Sequence, residues 1–150
     1  MKSLSLYIHI PYCDHKCIYC DFYSIINYKN KPEYLNALKR EIKYYAKTSE
    51  DKFIVETIFF GGGTPSLMEV SYIEEILNSI SNSFAVSEDV EITLETNPGS
   101  VNREKLSMFR QIGINRISIG VQSFDDNDLR FLTRIHTGNE ATKTVNDAEN

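Results

Sequence analysis

The chain contains three cysteines, Cys13, Cys17 and Cys20, spaced C-x3-C-x2-C directly after the apolar run Leu6-Tyr7-Ile8-His9-Ile10. Thiolates are soft ligands that suit iron-sulfur clusters and zinc. Three of them so close together can grip one face of a metal cluster and leave one metal corner without a protein ligand. Such a corner is open to a small chelating molecule. An odd count at a single locus cannot close a disulfide framework, so metal or cluster ligation outranks disulfides. A structural zinc site completed by His9 or His15 is the competing use of the same donors.

The ligands need an element to hold them. Ser5 to Ile10 is rich in Leu, Ile and Tyr and is stopped by Pro11, which predicts a first strand ending where the cysteine loop begins. From Pro32, Leu35, Leu38, Ile42 and Tyr45 recur at helical spacing with charges between them, predicting an amphipathic helix. Phe53 to Phe60 is a β-branched and aromatic run closed by Gly61-Gly62-Gly63-Thr64-Pro65, a second and buried strand. Ser71 with Glu74 reads as a capping box, and Ile73, Ile76, Leu77 and Ile80 mark one face of the helix that follows.

Val90 to Glu95 alternates as a third strand and ends in Thr96-Asn97-Pro98-Gly99. Asn102 is placed to cap a third helix with Leu106, Phe109 and Ile112 inward, and Gly113 stands where a left-handed C-terminal residue is wanted. Arg116 to Val121 predicts a fourth strand, Asp126 to Leu132 a short helix, and Glu140 to Asn150 a helix cut short. Alternating strands and helices build parallel sheets, so the fold class is α/β. Four units are fewer than the roughly eight of a closed barrel, which makes the chain the front part of a (β/α) barrel and the first part of a longer protein.

In parallel sheets, ligand sites gather at the carboxyl ends of the strands. The cysteines follow strand one, the triple glycine follows strand two, Glu95 and Asn97 end strand three, and Gln122 follows strand four. The rest of the composition excludes more than it selects. With 150 residues, 41% hydrophobic and 25% charged, the chain is an ordinary globular domain. A net charge of −5 with scattered Lys and Arg argues against a nucleic-acid surface. No apolar run reaches the length of a membrane span, and the start is not that of a signal peptide, so a cytoplasmic location is expected.

Four segments carry a resemblance across nearly the whole chain: Tyr7 to Phe22, Phe60 to Leu67, Glu95 to Gly99, and Asn115 to Phe124. Together they resemble the radical S-adenosylmethionine (SAM) proteins of the oxygen-independent coproporphyrinogen III oxidase group. The resemblance implies the N-terminal part of a radical SAM core, a partial TIM-like barrel of parallel strands. It also implies a 4Fe-4S cluster on Cys13, Cys17 and Cys20, with S-adenosyl-L-methionine chelating the fourth iron. In that picture the glycines, among them Gly62 and Gly63, let backbone groups approach the cofactor's ammonium, and Thr64 adds a hydroxyl.

By the same similarity Tyr7, Tyr19 and Glu95 lie along the first cofactor, and Gln122 and Arg134 hold a second S-adenosylmethionine or a propionate carboxylate. No catalytic residue is assigned. Porphyrinogen-oxidising members carry a further cysteine two positions after the third ligand, where this chain has Phe22. Cys20-Asp21-Phe22 and Glu95-Thr96-Asn97-Pro98-Gly99 look instead like the HemW branch, the heme chaperones. Heme is then the bound molecule, a heme-acceptor protein and an electron donor are the partners, and coproporphyrinogen oxidation is the alternative activity.

Overall fold

A computed structural model describes residues 2–48 and 52–149. Four strands, β1 (Lys2–Ile10), β2 (Phe53–Gly62), β3 (Ala85–Thr96) and β4 (Arg116–Ile119), pair in the order β1-β2-β3-β4, all parallel. Between and after them run α1 (Lys31–Thr48), α2 (Val70–Ser81), α3 (Arg103–Gln111), α4 (Asp126–Phe131) and α5 (Gly138–Glu149). A single 3-10 turn, Pro65–Leu67, follows the glycines. Among the described residues no helix is long and apolar enough to cross a membrane.

Strand periodicity sorts the two faces of the sheet. Ile8 and Ile10, Ile58 and Phe60, and Leu94 point to the helices, where they are buried with Leu35, Ile42, Ile73, Ile76, Ile80 and Phe109. Tyr7, His9, Phe59 and Glu95 occupy the alternate positions. The register Ile8↔Phe60 and Phe60↔Leu94 brings the apolar set into one layer. One face therefore makes the core, and the other is left for chemistry.

Several element boundaries differ from the sequence expectation. β3 starts at Ala85 rather than Val90: Ala85 and Val86 pair with Ile54 and Val55, and Ser87 to Val90, polar but for Val90, bulge out before pairing resumes at Glu91. β1 likewise starts at Lys2, paired with Phe53. β4 ends at Ile119, because the chain turns at Gly120 to Gln122, where Gln122 adopts φ 66°. Tyr45, expected on the buried face of α1, is 58% exposed.

The capping expectations split. Asn102 caps α3 as expected, its side chain accepting from Lys105 N at 2.8 Å, and Gly113 has φ 106°. Ser71 and Glu74 do not start α2; the helix begins at Val70 after Glu69, with no side-chain cap bond. The reciprocal box lies at α5 instead. Thr137 Oγ1 accepts from Glu140 N at 3.2 Å and Glu140 Oε2 accepts from Thr137 N at 2.8 Å, which holds the Glu140 carboxyl below its ordinary range.

Candidate functional site

The cysteine loop leaves β1 at Pro11 and is closed at its base. Cys13 N donates to Ile25 O at 3.0 Å, and Ile25 N donates to Pro11 O at 2.8 Å. Tyr12 is fully buried, donates to Asn30 Oδ1 at 3.0 Å and packs edge-on against Tyr28 and Tyr34. Cys20 N donates to Cys17 O at 3.1 Å, so a tight turn separates the second and third thiols. All three cysteines are free; Cys17 is buried, and Cys13 and Cys20 are partly so.

The glycine loop is pinned to this loop through backbone. Gly63 N donates to Ile10 O at 2.8 Å and Thr64 N to Tyr12 O at 2.7 Å. A Cβ on Gly63 would fall 2.5 Å from Tyr12 O, and one on Gly62, at φ 113°, would fall 2.7 Å from the His9 ring. The space these glycines leave is thus filled by the chain's own atoms.

A cavity of about 320 Å³ opens at the carboxyl ends of the strands. All three cysteines line it, with Tyr19, Gly62, Gly63, Glu95, Gln122 and Arg134. Two other expected residues stand outside the lining. Tyr7 shares a hydrogen bond of 3.0 Å with His9 Nδ1 and stacks on Phe59, and Thr64 lies buried behind Cys13, its Oγ1 3.5 Å from the sulfur.

Glu95 is half-buried. Burial pushes its carboxyl pKa up, opposed by the Gly62 N–H donating to Oε2 at 3.3 Å and by His9. His9 has both ring nitrogens engaged, by Tyr7 and by Tyr23 O at 3.0 Å, so neither is free to complete a zinc set. Among the described residues no three His, Cys, Asp or Glu side chains converge closely enough to share one metal ion. Two buried nitrogens at the cavity, His15 Nε2 and Arg134 Nε, have no protein partner.

Arg134 is more committed than its sequence role suggests. Its Nη2 donates to Asn97 Oδ1 at 2.8 Å and Gly120 O at 2.9 Å, and Nη1 reaches Tyr19 OH at 3.3 Å and Cys17 Sγ at 3.5 Å. Only Nε is left over for a ligand. Sequence reasoning placed Asn97 beside Glu95 at the carboxyl end of strand three but missed its bonds to both Arg134 and Thr64. The run Glu95 to Gly99, singled out on other grounds, was the available signal. Thr133, at φ 56°, was also missed, and no residue-type signal marks a β-branched residue in that conformation.

Over residues 7–150 the sequence matches the profile of the Radical SAM superfamily. It is 42% identical over 151 residues to the heme chaperone HemW of Haemophilus influenzae, covering 97% of this chain and 39% of that protein. HemW of Escherichia coli is also 42% identical, with the same coverage. Among solved structures, the coproporphyrinogen III oxidase HemN of Escherichia coli, described as a radical SAM enzyme, superposes with a TM-score of 0.88 at 30% identity. That match covers 99% of this chain and 34% of the HemN chain. The chain thus spans about two fifths of the length of the curated relatives it matches.

Proposed function

This chain belongs to the radical SAM superfamily, and from that premise we propose that it holds a 4Fe-4S cluster on Cys13, Cys17 and Cys20 and serves as a heme chaperone. The observation that carries the reading is three thiols, none in a disulfide, lining one cavity with Glu95, Gln122 and Arg134. A cluster gives each thiolate its own iron, so its ligand sulfurs stand farther apart than those of a single zinc ion. All three thiols line one cavity, which supports the reading that they serve a common group. When bound, the cluster supplies single electrons to the sulfonium of S-adenosylmethionine.

The chain's own groups divide the remaining work. Cys13, Cys17 and Cys20 ligate, which requires them deprotonated and suits the reducing cytoplasm where we place the protein. Glu95 faces the cavity as an acceptor for ribose hydroxyls. Arg134 Nε, buried and unpartnered, and the Gln122 amide are the donors left for a carboxylate. Gly62 and Gly63 keep the loop tight against Tyr12 and His9, which holds the floor of the cavity closed. Tyr7 and Thr64 act from behind that floor.

Heme is the proposed cargo, passed to an acceptor protein. Support comes from the two HemW relatives and from Phe22, 67% exposed at the cavity where the porphyrinogen oxidases carry a further thiol. The likeness to HemN favours a second reading, oxidative decarboxylation of coproporphyrinogen III with an external electron donor. A heme titration of the anaerobically reconstituted protein, run beside an assay for protoporphyrinogen, separates the two. Stoichiometric heme uptake without turnover is expected; turnover coupled to deoxyadenosine release would overturn the chaperone reading.

A further inference from the structure

Asn97 joins two donors that are each aimed at a cysteine sulfur. Its orientation is fixed by chemistry, because a guanidinium can only donate: the amide atom 2.8 Å from Arg134 Nη2 is the oxygen. The amide nitrogen therefore faces Thr64 and donates to its Oγ1 at 2.8 Å. With that lone pair occupied, the Thr64 hydroxyl proton is free for the sulfur of Cys13, 3.5 Å away. On its other side the same amide steadies the guanidinium whose Nη1 donates toward Cys17 Sγ at 3.5 Å.

Asn97 is itself held from below. Its backbone N–H donates to Ser100 Oγ at 3.3 Å, and that oxygen meets the hydroxyls of Ser66 and Thr96, each at 3.0 Å. Ser66 and Thr96 are buried, as is Thr64 at 2% exposure. Hydrogen bonds in such surroundings are strong and hold one geometry.

We propose that Asn97 is a positioning residue that sets the reduction potential of the cluster, by aiming Thr64 at the Cys13 sulfur and Arg134 at the Cys17 sulfur. The inference rests on the assignment of the cluster to these cysteines. Donors and positive charge directed at ligand sulfurs stabilise the more negative, reduced state and so raise the potential. Releasing both donors lowers it.

The test is an electron-paramagnetic-resonance redox titration of the anaerobically reconstituted protein and its variants, after iron and sulfide have been counted. Asn97→Leu is expected to disfavour reduction tenfold, a fall of about 59 mV for one electron. Thr64→Val is expected to lower the potential by a smaller step, and that step should vanish when added to Asn97→Leu, whose Thr64 is already misaimed. Asn97→Ser, too short to span both partners, repeats the test without a bulky apolar group and should fall likewise.

An unchanged potential in loaded Asn97 variants, or a Thr64→Val step that persists in full beside Asn97→Leu, would overturn the inference. Loss of the cluster from both Asn97 variants would overturn it too, since a residue that only aims donors leaves the three thiolates in place. A wild-type protein without iron or sulfide is a different failure: it removes the cluster assignment first and the inference with it.

Discussion

The backbone N–H of Ile18, the residue directly after the second cysteine, donates to Thr133 Oγ1 at 3.0 Å. That bond fastens the tip of the cysteine loop to the turn after α4, across most of the chain. Thr133 makes it from φ 56°, a conformation that costs a β-branched residue of order 1–3 kcal/mol.

Thr133→Ala should therefore speed hydrogen exchange at the Ile18 amide, while the net change in stability stays small because losing the β-branch relieves strain that offsets the lost bond. Exchange measured by nuclear magnetic resonance checks it directly. An Ile18 amide as protected as in the wild type would show that the bond does not hold the loop.

Gly63→Ala should be costly out of proportion to one methyl group. The added carbon would lie 2.5 Å from Tyr12 O, so the pairing of Thr64 N with that oxygen must yield. A loss of about 1–3 kcal/mol is expected from forced backbone displacement, read by denaturant unfolding. A midpoint equal to wild type would mean the two loops are not locked together.

Glu95→Gln should stabilise the cofactor-free protein at neutral pH. The folded-state pKa is raised, chiefly by burial, so the folded state favours the protonated carboxyl. The penalty for ionisation is then fully present above the folded pKa and disappears as pH falls below the unfolded one. Melting temperatures of the two proteins should differ at pH 8 and converge toward pH 4. A gap that widens on acidification would contradict the sign.

Asn102→Ala should cost about 1 kcal/mol through loss of the α3 cap, whose side chain accepts from Lys105 N. Ser71→Ala should stay within about 0.5 kcal/mol, because α2 starts without a side-chain cap bond. Chemical denaturation of the two variants side by side decides between the sequence motif and the observed cap.

The order of strands and helices was legible because apolar periodicity and turn residues agree, as at Phe53 to Phe60 followed by three glycines. Ends were less legible. The polar residues Ser87 to Asp89 hide the start of β3, since a bulge tolerates what a regular ladder does not. At the site, residue types and spacing marked the thiols, placement at strand ends marked Glu95, Asn97 and Gln122, and Arg134 came only from the family resemblance. None of these showed what Asn97 does, which depends on two partners distant in sequence, Thr64 and Arg134, brought together by the folded chain. Ser71 with Glu74 and Thr137 with Glu140 carry the same spacing, and only the second pair sits at a helix entry.

Tyr12 couples the hydrophobic interior to the cysteine-bearing end of the sheet. Its ring lies among Tyr28 and Tyr34 at the entry to α1, while its carbonyl oxygen holds the Thr64 amide. Anything that loosens the interior therefore slackens the sulfur-bearing loop in the same event. In the cofactor-free protein the alkylation rate of Cys17, which is 8% exposed, becomes a gauge of global unfolding rather than of local reactivity.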